Sequence, residues 1–150
     1  MLTKLAYAAA TYTGLGLLGG LAYRELTRDR AWQFTQLNVV HTHLLALGTL
    51  VMLIVLLLEK AFALSQRREM TYFWWSYNVG LVLSTAMMTV KGIMQLDGPV
   101  DNKAMAGISG LGHILLTIGF LFLFIALIKQ VKAGETKAVA AARVDGTPAA

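Results

Sequence analysis

Four stretches of this chain carry no Asp, Glu, Lys or Arg: Leu5–Tyr23, Ala31–Leu58, Met70–Val90 and Ala104–Ile128. A bilayer core about 30 Å thick is crossed by roughly 20 helical residues. Each stretch is long enough, so the sequence predicts an all-α membrane protein, a four-transmembrane-helix bundle. The chain has 150 residues, room for one domain. Only 14% of the residues are charged, against about 25% in soluble domains, which excludes a soluble enzyme and a secreted disulfide scaffold. The formal net charge of +5 belongs to loops and tail. The expected partner is therefore the lipid bilayer, not nucleic acid.

The helices are expected at about 5–23, 32–58, 72–95 and 104–128. Helix one follows Lys4 and passes straight into Arg24–Glu25 with no small-residue cleavage site, so it reads as a retained helix rather than a signal peptide. Its Gly14, Gly16, Gly19 and Gly20 fit close packing against another helix, or the general abundance of glycine in membrane helices. Asp97-Gly98-Pro99 breaks the chain between helices three and four. Residues 1–130 form the transmembrane domain, and 131–150 read as a polar, Ala-rich tail, expected to be disordered. Short loops make consecutive helices antiparallel neighbours, up-down-up-down. Lys4, Lys60, Arg67, Arg68, Lys129, Lys132, Lys137 and Arg143 lie on the side of both termini, and Arg24, Arg28, Arg30 and Lys103 on the other. By the positive-inside rule both termini are cytoplasmic, in a bacterial plasma membrane.

All three histidines fall inside these apolar segments: His41 and His43 in helix two, His113 in helix four. Ionisable groups at membrane depth are costly and mark function. His43 lies 17 residues before Lys60 and His113 lies 16 before Lys129. The two helices run in the same direction, so the three imidazoles share one layer toward the outer leaflet.

Such a layer restricts the cofactor. Cysteine is absent, which removes disulfides, thiolate metal sites and covalent c-type haem. Zinc wants four ligands, and no carboxylate is available in the segments. Copper is disfavoured because no tight set of His and Met is apparent. Haem b needs one or two imidazoles and an apolar slot, which makes His41, His43 and His113 the candidate iron ligands, with His41 and His43 expected as the axial pair and His113 third, its rival role being a hydrogen bond to a ligand imidazole or a propionate. Lys91, near the outer end of helix three, and Arg24, Arg28 and Arg30 in the first loop are the candidate propionate partners. Lys91 equally reads as a residue that snorkels to the interface, and the arginines as a solvated loop. Residues two apart on a helix point about 200° from each other, so His41 and His43 cannot bind one iron from one face.

The run His41-Thr42-His43 followed by Gly48 resembles haem-ligand helices of the heme–copper oxidase catalytic subunit and its nitric oxide reductase relatives. There a His-x-His pair binds two different haems, and twelve helices form three pseudo-symmetric groups of four. The resemblance implies a four-helix group with haem ligands on its second helix. Through Asn38–Gly48 and Gly107–His113 the chain is also similar to a small family of four-helix bacterial membrane proteins to which no activity is attached. The oxidase copper site and the reductase glutamates have no counterpart in these segments. No complete oxidase or reductase active site is therefore expected, and a bis-histidine haem suits electron transfer or redox sensing.

Because His41 and His43 diverge, a ring of chains offers one solution: a homotrimer in which His41 of one copy and His43 of the next bind the same haem, twelve helices in all. The rival is one haem inside each bundle, held by His113 and either His41 or His43. A cofactor-free accessory subunit or small transporter, with histidines as interhelical hydrogen-bond partners, is the alternative to haem. A quinone or redox partner is conceivable near Trp74, Trp75 and Tyr77, although Trp and Tyr at a helix end are the ordinary interfacial belt. Met52, Met87, Met88 and Met94 read as packing residues.

Overall fold

The computed structural model describes residues 1–29 and 35–144, with side chains at all of these except 138 and 141–144. Among the described residues the protein is all-helical, with α1 at Leu2–Thr27, α2 at Leu37–Phe62, α3 at Arg68–Met94 and α4 at Lys103–Val144. A 3₁₀ turn, Leu64–Gln66, joins α2 to α3. The expected start of helix two at Trp32 lies outside the described residues, as do residues 145–150.

The helices outrun their apolar stretches because helical hydrogen bonding does not end where the charges begin. Arg24 and Glu25, expected in a loop, belong to the last turns of α1. The larger correction is at the other end. The polar segment from 131, expected to be disordered, continues α4 as helix through Val144. It is rich in Ala, the strongest helix former. Its root is anchored: Arg67 Nε donates to Gln130 Oε1 at 2.8 Å, and Lys129 pairs with Glu69. That hydrogen bond from Lys129 holds the Glu69 carboxyl below the usual carboxylate range.

Three helices are long and apolar enough to cross a membrane: Leu2–Thr27, Leu37–Phe62 and Lys103–Lys137. The 27-residue α3 is of similar length, but Ser76, Asn78, Ser84, Thr85 and Thr89 lower its hydropathy. Most of these polar groups turn back on their own helix: Ser76 Oγ donates to Tyr72 O at 2.7 Å, Asn78 Nδ2 to Trp74 O at 2.7 Å, and Thr85 Oγ1 to Leu81 O at 2.8 Å. Such back-bonding lets a polar residue sit in an apolar surround. With Phe73, Tyr77 and Leu81 wholly buried, α3 is the interior helix.

Small residues set the packing. Gly16 of α1 meets Leu44 and Leu45 of α2, Gly20 meets His41, and Gly48 lies under the Tyr12 ring, whereas Gly14 faces open space. On α3, Gly92 abuts Leu37 of α2 while Gly80 and Ser84 abut Gly112 of α4. In each pair one number rises as the other falls, so consecutive helices run antiparallel. The layout is not a closed square. Among the described residues α1 approaches α2 but not α4, and α2 approaches α4 only through its Val51–Phe62 part. Along Leu37–Leu50 the α2 and α4 helices splay apart. At the closed end the carboxylate of Glu59 accepts the backbone N–H of Ser65 at 2.7 Å and its hydroxyl at 2.5 Å, which ties the α2–α3 turn.

Candidate functional site: the histidine layer

Depth can be read through α3. Gly92 is level with Leu37, and Ser84 with Gly112. Since α3 is antiparallel to both neighbours, Leu37 is level with Ala104 and His43 with Gly110. His43 and His113 thus differ in depth by three residues, about 4.5 Å of helix rise.

The three rings have different surroundings. His41 packs beneath α1, its Cβ 3.7 Å from the position a Cβ on Gly20 would take. Its Nδ1 is buried with no hydrogen-bond partner among the described residues, and its Nε2 lies 3.4 Å from Thr42 Oγ1. His43 shares a helical stripe with Gln36, Val40 and Leu47, and this stripe meets α3. Gln36 N–H donates to Gln95 Oε1 at 2.8 Å, and the Leu47 carbonyl accepts Tyr77 OH at 2.9 Å. His113 is exposed on the flank of α4. Its stripe continues through Leu116 to Phe120, whose ring meets Tyr77 edge-on at 5.1 Å. That stripe borders the contact with α3. His43 and His113 lie at similar depth on the two helices that splay apart, and His41 faces α1.

His43 and His113 also share one chemical arrangement. His43 Nδ1 lies 2.9 Å from Val39 O, and His113 Nδ1 lies 2.8 Å from Ser109 O. A carbonyl can only accept, so each Nδ1 carries a proton, and in the neutral ring the lone pair is then on Nε2. Metal-bound histidines are oriented in this way, by donating the other ring N–H to a carbonyl. On α3, Ser84 Oγ is buried against Gly112 of α4 with no hydrogen-bond partner among the described residues. An unpaired buried hydroxyl calls for an explanation, and this one lies in the same layer. Met88 is buried one turn further out.

Among the propionate candidates, Lys91 is half-buried and shares its α3 stripe with Ser84 and Met88, at the outer end of the gap. Arg24 is exposed on α1. Arg28 is engaged with Glu25 at 3.6 Å in an exposed pair. Arg30 lies outside the described residues. No three His, Asp or Glu side chains gather into a metal-holding group among the described residues. The three histidines therefore do not converge on one ion.

Two features had escaped the sequence reading. Directly after His43, Leu44–Leu50 is π-helical, a rare geometry that recurs at functional sites. Tyr77, expected at an interface, is wholly buried and caps a carbonyl of that segment. The Trp74–Trp75 pair divides as an interfacial pair does, Trp75 being 65% exposed and Trp74 half-buried. Met52 and Met88 are buried packing residues, but Met94 is exposed.

No curated protein and no solved structure matches the chain, and no similarity to the oxidase family is shown. Residues 2–130 match one family model, described as a protein of unknown function, DUF2871. With that match running from the start of α1 to Gln130, the chain belongs to the DUF2871 family.

Proposed function

We propose that this protein binds haem b in the gap between α2 and α4, with His43 and His113 as the axial imidazoles. The observation that carries the reading is the matched state of these two rings: Nδ1–H tied to the carbonyl four residues earlier, Nε2 free, depths within a turn. A haem held by these two imidazoles would supply one-electron transfer or redox sensing. The chain's own groups hold the site. Val39 O and Ser109 O fix the tautomers, and Ser84 Oγ is a donor in reach of the layer. Lys91 is the cation that suits a propionate at the open end, since Arg24 and Arg28 stand at the end of α1, which does not approach α4 among the described residues.

The rest of the reading follows from the bundle. All four helices cross a bacterial plasma membrane, up-down-up-down, with both termini in the cytoplasm. The sequence resemblance of His41-Thr42-His43 to oxidase haem-ligand helices, which no comparison supports, would put a haem on the second helix. A homotrimer, with His41 of one copy and His43 of the next on one iron, is the second arrangement. The packing of His41 under Gly20 favours the first, since His41 must leave α1 to reach another chain.

Replacing each histidine by alanine and measuring haem per chain tests the assignment. We expect His43→Ala and His113→Ala to lose nearly all bound haem and His41→Ala to keep most of it. Loss in His41→Ala and His43→Ala with retention in His113→Ala would shift the assignment to the trimer. Haem-free wild-type protein from haem-replete cells would leave the cofactor-free reading, an accessory subunit or small transporter.

A further inference from the structure

On the side of the bundle away from the histidine gap, α1 and α3 do not touch along their backbones, and a furrow runs between them. Its lower end is a small cleft lined by Lys4, Thr71, Trp74 and Trp75. The same two tryptophans open a trough of about 620 Å³ that continues along Asn78, Val79, Val82 and Ala86. Val82 and Ala86 lead into a third hollow of about 400 Å³, walled by Leu15, Leu18 and Ala22 of α1. Apolar side chains here are strongly exposed, Leu18 by 63% and Trp75 by 65%.

We propose that this furrow seats one anionic phospholipid, its phosphate at Lys4, Arg68 and Thr71 and an acyl chain lying along α3 from Trp75 to Ala86. The charge at the mouth selects the headgroup. Lys4 lines the cleft, and Arg68 falls on one helical stripe with Thr71 and Trp75, three and seven residues on. Neither cation makes an ion pair among the described residues. Basic pockets between membrane helices take acidic headgroups in this way. The length selects the tail: Trp75 to Ala86 rises about 17 Å, close to the roughly 15 Å of one leaflet's hydrocarbon. The trough offers a quinone little: Asn78 is already engaged, Tyr12 OH donating to its Oδ1 at 2.7 Å and its Nδ2 donating to Trp74 O at 2.7 Å. A hydrocarbon chain asks nothing of them. This site is independent of the haem reading.

Tryptophan quenching by brominated lipid tests it. The Trp32→Phe protein is placed in phosphatidylcholine vesicles containing the same mole fraction of acyl-brominated phosphatidylglycerol or acyl-brominated phosphatidylcholine, and Trp74 and Trp75 report. We expect the anionic lipid to quench at severalfold lower mole fraction. The advantage should fall about fivefold for each of Lys4→Gln and Arg68→Gln, the effect of one cation near a lipid surface. In the unsubstituted furrow, raising salt should erode the same advantage, which keeps the test valid if a variant fails to fold. Equal quenching by the two lipids would overturn the proposal and make the furrow an unselective lipid contact. Quenching by neither would overturn it too, because another helix, such as that of a second copy, would then cover the furrow.

Discussion

Hydrogen bonding, more than spacing, separates the three histidines. From the sequence His41 and His43 share one helix and one layer, and only the 200° between them says that they serve different neighbours. The structure adds which neighbour is which: α1 for His41, and the α3 side for His43. It also shows a second back-bonded ring at His113, on which the sequence could not report, since the bond depends on the ring's rotamer and not on which residue stands four before it. Glycines carry a similar lesson. Sequence alone gives Gly14, Gly16, Gly19 and Gly20 equal standing, yet a Cβ at Gly16 would meet Leu45 at 2.9 Å while one at Gly14 meets nothing within 4 Å. At Gly80 the obstacle is backbone, with Gly112 O and Leu116 N both at 2.8 Å, and backbone cannot swing aside. Gly80→Ala should therefore cost about 1–3 kcal/mol, the usual range for overpacking. Gly14→Ala should be neutral or stabilising by less than about 1 kcal/mol. Thermal unfolding of the two variants in detergent, compared with the parent chain, checks the contrast.

The helices themselves were legible because four charge-free runs leave few other solutions, and their ends were not. Charges signal where a helix leaves hydrocarbon, whereas backbone hydrogen bonding continues until a breaker such as Asp97-Gly98-Pro99 intervenes. No such breaker stands between Ile128 and Val144, and α4 runs on. The π-helical turn Leu44–Leu50 leaves no trace in the sequence because it depends on tertiary contacts: Gly48 admits the Tyr12 ring, and Leu47 O accepts Tyr77 OH. Tyr77 looked interfacial only because helix three was expected to begin at Tyr72; with α3 starting at Arg68 it lies well inside. The polar composition of α3 makes it the helix whose crossing most needs proof. The chain has no cysteine, so single cysteines at Thr136→Cys and Asp101→Cys can be labelled without interference. Four crossings place Thr136 on the cytoplasmic side and Asp101 on the outer side. Labelling of both from the same side would refute the four-span arrangement.

Taken whole, the molecule is two antiparallel pairs, α1 with α2 and α3 with α4, joined where α2 lies on α3. The inner end is closed by Glu59, Glu69 and Lys129 and by packed aromatic rings, among them Phe73, Tyr77 and Phe120. Toward the other end α2 and α4 part. A planar cofactor held by His43 and His113, as proposed, would enter at that end, and ring tautomers already fixed would spare it reorganisation. The most direct measurement is the dithionite-reduced minus oxidised absorption spectrum of protein purified from haem-replete cells, with haem counted per chain. Two imidazoles on one iron predict one haem b per chain, a Soret band that shifts on reduction and the sharp visible bands of a low-spin haem. A colourless preparation, or a haem whose spectrum survives the joint replacement His43→Ala and His113→Ala, would contradict it.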